Sequence, residues 1–113
     1  MEKVILGLTE EVTILGKNKN KAVMAKIDTG ATGSSIDNKL AQELELAPGQ
    51  KFIVVKSASG TRERPAIKVK IKLDGSTIEE EFTLADRSHL TYPVLIGQNI
   101  LKKGNFLINP QQK

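Results

Sequence analysis

One stretch of strict alternation constrains the fold of this 113-residue chain more than any other feature. Apolar residues at every second position from 67 to 73 alternate with lysines, and Asp74 and Gly75 follow directly. Alternation with a period of two places the apolar side chains on one face of a strand. Asp-Gly is a strong signal for a two-residue hairpin turn. We therefore predict a half-buried strand over 67–73 that turns into a return strand through residues 78–84.

The same period recurs along most of the chain. Apolar positions in 12–14 and 23–27 flank the polar stretch 16–20, which predicts an antiparallel hairpin. Short apolar runs predict further strands at 52–55, 94–96 and 106–108. Many short strands with one or two short helices are typical of a small closed barrel, so the predicted fold class is all-β.

One helix is predicted before the last third of the chain. Asp37 is a suitable N-cap for a short helix that carries Leu40, Leu44 and Leu46, and the pair 48–49, Pro-Gly, is expected to end it. The cap accounts for Asp37, and the hairpin turn accounts for Asp74. Neither acid therefore needs a catalytic role.

Length and composition narrow the class of protein. A chain of this length corresponds to one domain, residues 1–113. Its apolar runs are shorter than the roughly 18 residues of a membrane span, and its first residues lack the apolar core of a secretory signal, so we expect no membrane partner and a cytoplasmic location. The absence of Cys and the single His89 leave no usual set of metal ligands, so we expect no metal and no cofactor.

The net charge of +4 and the isoelectric point near 9.4 raise nucleic acid as a partner. The lysines, however, are scattered on alternate strand positions, and aromatic residues make up only 4%, too few for a base-stacking platform. We therefore predict a solvated basic surface and no nucleic-acid partner. A barrel that binds nucleic acid is kept as the least favoured alternative, which a steep salt dependence of affinity would support.

Two motifs carry the chemistry. Asp28, Thr29 and Gly30 follow a predicted strand, and alone they indicate only a turn. Downstream, the stretch 93–101 places an apolar strand before Gly97. Together, in this order and spacing, the motifs resemble the retropepsin family, in which the first carries the catalytic Asp and the second passes beneath it. The resemblance implies a retropepsin-like barrel with aspartic peptidase activity.

A closer resemblance involves the segments 28–36 and 84–93. They are similar to small microbial proteins labelled ATP-dependent zinc proteases, which are retropepsin-like and often associated with ATP-grasp glutamate ligases. The sequence has no His pair, no Cys and no phosphate-cradling glycine-lysine loop with which to bind zinc or ATP. A non-catalytic binding or regulatory partner of an ATP-grasp ligase is therefore kept as the alternative to a peptidase.

The motif with Asp28 occurs once, and this predicts the assembly. Hydrolysis by this route requires one carboxylate to deprotonate water and a second, protonated one to polarise the scissile carbonyl. A two-fold symmetric homodimer brings Asp28 and its symmetry mate together at the axis. The expected partners are thus a second copy of the chain and a peptide or protein substrate.

The resemblance also implies roles for individual residues. Asp28, Thr29 and Gly30 are the expected catalytic residues, with the Thr29 hydroxyl bonding across the axis. The expected substrate-binding residues come from the active-site loop, the strand beneath it and the flap: Ala31, Thr32, Ile96, Ser59, Gly60 and Arg62.

Departures from the family pattern refine these expectations. Ala31 replaces the hydroxyl residue of pepsin-like enzymes, which removes a hydrogen bond to the carboxylate, so we expect a less acid pH optimum. Thr32 and Gln98 stand where retroviral members have an acid and an Arg. If the acid and the Arg form a structural ion pair in retroviral members, both are expected to be absent together, because the loss of one leaves the other charge unpaired.

The segment 57–64 is the expected flap, although an ordinary polar hairpin explains it equally well. Arg62 and Arg64, with Lys26 and Lys56, predict a basic cleft suited to acidic or polyglutamyl peptides. His89 is expected to be a surface or structural residue. Asp86 is expected to pair with its neighbour Arg87.

Overall fold

The computed structural model describes residues 3–46, 51–58 and 60–112, and for residues 51–57 the description covers the backbone alone. The strands and helices follow each other in this order: β1 (Val4–Leu6), β2 (Thr9–Leu15), β3 (Asn20–Ile27), β4 (Ser34–Asp37), α1 (Asn38–Glu43), β5 (Lys51–Ser57), β6 (Gly60–Leu73), β7 (Ser76–Ala85), β8 (Val94–Ile96), α2 (Gln98–Leu101) and β9 (Phe106–Ile108).

Six of these strands close into a barrel. They pair in the order β2-β3-β8-β4-β7-β6, and β6 then pairs back onto β2 through Val12↔Leu73 and Ile14↔Ile71. Most inward positions of these strands are apolar, and the core includes Phe82, Ile36 and Ile96, each 0% exposed. The predicted all-β class and closed barrel with short helices are confirmed.

The alternating strand behaves as its sequence predicts. In β6, the apolar positions from Ile67 to Leu73 are buried while the lysines between them are exposed. Asp74 has φ of 46° and Gly75 has φ of 86°, the left-handed pair that a type I′ turn requires. The turn joins Leu73 directly to Ser76, so β6 and β7 form the predicted antiparallel hairpin. The predicted hairpin of β2 and β3 is confirmed as well.

Helix α1 begins as predicted but ends earlier. The Asp37 side chain accepts a hydrogen bond from the Lys39 N–H and caps the first turn. The helix then ends at Glu43, because Glu45 adopts the left-handed conformation at φ of 52°. The N–H groups of Glu45 and Leu46 bond back to the carbonyls of Gln42 and Ala41, which is the Schellman pattern. The predicted stop at 48–49 lies outside the described residues.

A small second sheet joins two distant segments of the chain. Strand β1 pairs in parallel with β9 through Val4↔Phe106, Ile5↔Leu107 and Leu6↔Ile108. The residues on one face of this sheet pack on the barrel core, whereas Ile5 is 44% exposed and Leu107 50% exposed on the other face. Strand β9 was expected from the sequence, but β1 was not. Among the described residues, no helix has the length and apolar character needed to cross a membrane.

Candidate active site

The loop that carries Asp28 leaves the barrel where two parallel strands end side by side. Strands β3 and β8 pair through Ile27↔Ile96, and the Asp28 N–H continues this pairing by donating to the Ile96 carbonyl at 2.9 Å. The Asp28 Oδ1 accepts a hydrogen bond from the Gly30 N–H at 2.9 Å. The other carboxylate oxygen makes no hydrogen bond or ion pair with the described residues. The backbone therefore fixes a half-buried carboxylate with one oxygen left for a further partner.

The segment after β8 holds the rest of this loop. The backbone N–H of Gln98 donates to the Ala31 carbonyl at 2.8 Å, and that of Asn99 donates to the Thr32 carbonyl at 3.1 Å. The Gln98 side chain adds a third bond from Nε2 to the Thr29 carbonyl at 2.8 Å. In the sequence, the only feature of interest at Gln98 was the absence of the Arg that retroviral members have at this position. In the structure, its amide positions the Asp28 loop.

A buried polar network lies beneath the loop. The Ser34 Oγ, in a residue only 2% exposed, accepts from the Gly97 N–H at 2.9 Å and donates to the Asn99 Oδ1 at 2.7 Å. The Asn99 Nδ2 donates to the Glu81 carbonyl at 2.9 Å, which ties the network to β7. Sequence reasoning missed Ser34 and Asn99. A serine at an inward position of β4 was the one sequence signal for this network, because a buried hydroxyl group needs hydrogen-bond partners.

Gly97 allows the loop and the strand to approach each other closely. A Cβ built on Gly97 would lie 2.0 Å from the Gly33 carbonyl oxygen and 2.8 Å from that of Ala31. Both obstacles are backbone atoms, which cannot rotate out of the way. Gly33 itself has open space around its Cβ position and no left-handed φ. Close approach is therefore the reason for glycine at position 97, and it does not apply at position 33.

The predicted catalytic and loop residues lie together at this site. Thr29, Gly30 and Thr32 are exposed, and Ala31 is half-buried beside them. Ile96 differs from the expectation for a substrate-binding residue, because its side chain is 0% exposed and faces the core. Its carbonyl supports Asp28, while the neighbouring Leu95 faces outward and lines a surface pocket.

The predicted flap is a hairpin of β5 and β6. Its strands pair from Lys51↔Ala66 to Ser57↔Gly60, and Gly60 has φ of 128°. Strand β6 is 14 residues long, so the strand that forms the hairpin also continues into the barrel wall. Arg62 is exposed on the hairpin. Ser59, predicted to bind substrate, lies outside the described residues, as does the side chain of Lys56.

A pocket of about 390 Å³ opens next to the strand that leads to Asp28. We call it the Lys26 pocket, and its lining consists of Leu8, Thr9, Lys26, Arg87, Leu90, Thr91, Tyr92 and Leu95. Lys26 is on β3 and pairs in register with Leu95 of β8. Two of its lining residues are large apolar side chains that remain open to solvent, Leu8 at 47% exposure and Leu90 at 46%.

A second pocket of about 370 Å³ adjoins the first. We call it the Arg64 pocket, and its lining consists of Ser35, Arg64, Thr83, Ala85, Asp86, Arg87, His89 and Leu90. The two pockets share Arg87 and Leu90, so they are neighbours, and we call the pair of pockets the cleft. Of the four predicted cleft cations, Lys26 and Arg64 line it and Arg62 does not.

Arg87 and Asp86 do not form the predicted pair. The Asp86 Oδ1 accepts hydrogen bonds from the N–H and the hydroxyl of Ser88, and these bonds lower the pKa of Asp86. The Arg87 guanidinium instead donates from Nε to the Tyr92 carbonyl at 3.0 Å and from Nη1 to the Ser35 Oγ at 3.2 Å. Burial lowers the pKa of Arg87, partly offset by the charge of Asp37. The prediction was wrong because a serine two residues after Asp86 satisfies that carboxylate locally.

Asp37 is confirmed as a structural residue, and it has a second partner. Besides capping α1, its Oδ1 accepts the backbone N–H of Arg87 at 2.7 Å. His89 is exposed, as expected of a surface residue, but it also lines the Arg64 pocket. Among the residues that the structure describes, no three His, Cys, Asp or Glu side chains are grouped closely enough to hold a metal ion.

The comparison with family models gives one match. A model named RimB-like and described as "Retropepsin-like aspartic endopeptidase RimB" matches residues 37–113, which is more than half of the chain. The match contains Arg87, β8 and α2, whereas the loop with Asp28 precedes it. No curated protein matches the chain.

Many solved structures are similar to this fold, and two of them illustrate the likeness. The protein Lpg0085 of unknown function (DUF785), from Legionella pneumophila subsp. pneumophila str. Philadelphia 1, matches with a TM-score of 0.70 at 22% identity, over 97% of this chain and 95% of its own. The EIAV protease complexed with the inhibitor HBY-793 matches with a TM-score of 0.65 at 22% identity, over 84% of this chain and 85% of its own. The barrel is therefore retropepsin-like.

Proposed function

The chain belongs to the RimB-like family of retropepsin-like aspartic endopeptidases, and we propose that it acts as a homodimeric aspartic endopeptidase to which each subunit contributes Asp28. Each subunit is one domain, residues 1–113. Asp28, Thr29 and Gly30 form the catalytic loop, and the hairpin of β5 and β6 closes over the substrate.

The observation that carries this proposal is the state of the Asp28 carboxylate. The loop orients it through the Gly30 N–H, yet no described carboxylate shares a hydrogen bond with it. Two carboxylates held close together share a proton, because both cannot be ionised. In the dimer, the ionised Asp28 takes a proton from the attacking water while the protonated one donates a hydrogen bond to the scissile carbonyl. Collapse of the tetrahedral intermediate then passes a proton to the leaving amine.

An exposed apolar face supports a second copy as the partner. Ile5 and Leu107 are neighbours across the sheet of β1 and β9, and both are about half exposed. The segment after β1 runs beside the active-site loop, since the Leu8 carbonyl accepts the Ile27 N–H at 2.9 Å. A two-fold axis near this segment would bury the apolar face and bring the two Asp28 loops together. We propose this face as part of the dimer interface.

The charge of the cleft supports acidic or polyglutamyl peptides as substrates. Lys26, Arg64 and Arg87 line the two pockets, and among the described residues Asp86 is the one acid in either lining. Its carboxylate already bonds to Ser88. A cleft lined by one sign of charge raises the local concentration of oppositely charged ligands. Acidic peptides should therefore be cleaved faster than neutral ones, and salt should reduce the difference.

Mixed dimers test the shared dyad directly. Wild-type and Asp28→Asn subunits are unfolded together, refolded at equal amounts, and assayed for peptide cleavage. If each active site needs two Asp28 residues, only wild-type dimers cleave, and random pairing leaves about a quarter of the activity of an all-wild-type sample. Independent subunits would leave about half. Asp74→Asn, which removes an exposed acid at the turn between β6 and β7 and keeps a residue suited to the left-handed conformation there, is the matched control and should give full activity in the same mixture.

Light scattering on the same samples measures the assembly. A dimer is expected at the concentrations of the assay, and a monomer that cleaves peptides at full rate would disprove the proposal. Wild-type protein that binds acidic peptides but cleaves none of them, at any pH from 3 to 8, would instead favour the non-catalytic binding partner.

A further inference from the structure

We infer that Arg87 is the specificity-determining residue of the cleft, and that its guanidinium selects substrates with carboxylate side chains in both the Lys26 pocket and the Arg64 pocket. The inference rests on the proposed peptidase function, because it states how that site chooses its substrate. It adds a residue that neither the motifs nor the family resemblance identified.

The location of the Lys26 pocket makes it a substrate site. Lys26 precedes Asp28 by two residues, so the two Cα atoms lie about 7 Å apart along the chain. Residues two apart on an extended chain point to the same face. A peptide held over Asp28 would therefore place a side chain next to it in this pocket. The Arg64 pocket, which shares Arg87 with the Lys26 pocket, would receive another side chain of the same peptide.

Arg87 is held in place before any substrate arrives. Its Nε and Nη1 donate to the Tyr92 carbonyl and to the Ser35 Oγ, one partner lining each pocket. A guanidinium has five N–H donors, so these two bonds leave three without a partner in the part of the chain that the structure describes. No described carboxylate forms an ion pair with it. A guanidinium that is already held in place and has unused N–H donors loses little further conformational entropy when it binds a carboxylate.

The surroundings fit glutamate better than aspartate in the Lys26 pocket. Leu8, Leu90 and Leu95 supply an apolar wall, and Lys26 and Arg87 supply the charge. A side chain with a methylene stem and a terminal carboxylate contacts both parts. The Arg64 pocket has hydroxyl groups in its wall together with its basic residues, which suits a second carboxylate.

An ordinary basic surface is the competing explanation, and burial argues against it. The lysines of β6, such as Lys70, project from exposed strand positions. Arg87 is instead half-buried, and burial lowers its pKa. A partly desolvated cation is costly in free energy. The charge of Asp37 offsets that cost only in part, and an anionic ligand would offset more of it.

A peptide set with single Glu→Gln replacements tests the inference. The parent peptide has glutamate at every position around one cleavage site, and kcat/KM is measured for each replacement. The wild-type enzyme should show two sensitive positions, each with a loss of about tenfold or more, the size expected for one charge-assisted hydrogen bond. No sensitive position, or equal small losses at all of them, would overturn the inference.

Variants then assign the two positions. Lys26→Gln should abolish the sensitivity at one position, Arg64→Gln at the other, and Arg87→Gln at both. Lys70→Gln, the same change of charge on an exposed strand position, is the matched control and should keep both. If Arg87→Gln keeps both sensitivities while the other two variants lose theirs, Arg87 is not the shared determinant. Arg87→Lys, which retains the charge without the fork, should keep part of the selectivity even if Arg87→Gln folds poorly.

A binding measurement separates this inference from the proposed function. Fluorescence anisotropy on the Asp28→Asn protein gives the affinity for a labelled glutamate oligomer and for its glutamine counterpart. Preferential binding of the glutamate oligomer that Arg87→Gln removes would support the inference even if the wild-type protein cleaved nothing. Equal binding of the two oligomers would refute it, even if the wild-type protein were an active peptidase.

Discussion

Replacing Gly97 with alanine tests whether the active-site loop depends on close backbone contact. The new Cβ would lie 2.0 Å from the Gly33 carbonyl oxygen, and ordinary contact begins near 3.4 Å. The loop must therefore move by more than 1 Å, a displacement estimated from these two distances. Movement on that scale breaks the bonds from Gln98 and Asn99 to the loop carbonyls of Ala31 and Thr32, which are 2.8 and 3.1 Å long.

The expected loss of stability follows from the interactions that the new methyl group disrupts. Two backbone hydrogen bonds contribute about 1 kcal/mol each, and overpacking costs about 1–3 kcal/mol. We expect Gly97→Ala to lower the free energy of unfolding by roughly 3–5 kcal/mol. Urea denaturation at matched protein concentration measures this loss, because the stability of a dimer depends on concentration. Peptide cleavage should fall by about a hundredfold or more, because a misplacement of 1 Å in a catalytic group is that costly.

The matched control is Gly33→Ala in the same loop. A Cβ at Gly33 meets no atom within 4 Å, and its φ is not left-handed. This variant should keep its stability within about 0.5 kcal/mol, the usual range for surface substitutions. Wild-type stability and activity in Gly97→Ala, or equal losses in both variants, would show that the close approach does not position the loop.

Three further predictions concern individual side chains. Gln98→Glu places a second acceptor against the Thr29 carbonyl, so kcat should fall about tenfold while KM stays within about twofold. Gln98→Met should show a smaller fall in kcat. A change confined to KM would contradict a positioning role for Gln98. Asp37→Ala removes the cap of α1 and leaves the backbone N–H of Arg87 without its acceptor. The free energy of unfolding in urea should therefore fall by about 2 kcal/mol. An unchanged midpoint of the urea transition would refute this prediction. The Glu81 N–H and then Lys103 lower the pKa of Glu80 below its ordinary 4.5. The wild-type protein should therefore be more stable than Glu80→Gln by about 0.5 kcal/mol at pH 7, and this difference should disappear as the pH falls below 4.5. A difference that persists at pH 3 would contradict the assignment.

Local signals predicted the parts of the fold that depend on neighbouring residues. The turn at Asp74 and Gly75 needs only two left-handed residues, and the cap at Asp37 needs only an oxygen near two free N–H groups. The end of α1 was missed because the left-handed position is occupied by Glu45 instead of glycine. A charged residue there gives no sequence signal, although the backbone closes the helix in the usual way.

The features that the sequence did not predict depend on tertiary contacts. The sequence predicted the Asp28 loop and the strand beneath it, but not that the Gln98 amide bonds to Thr29. It paired Arg87 with its nearest acid, whereas the fold directs the guanidinium to Ser35, 52 positions earlier in the chain. The Arg87 cleft forms only when β4, β7 and the segment before β8 come together, so no local pattern predicts it.

The pairing of β1 with β9 has a consequence for how the protein is made. The two strands are joined through Val4 and Phe106, so nearly the whole chain separates them. Loops of that length close slowly, because contacts far apart in sequence must wait for the segments between them. During synthesis, residues 4–6 remain without their strand partner until residues 106–108 have left the ribosome. We expect truncation before Phe106 to leave Val4 and Leu6 uncovered and the nascent protein prone to aggregate.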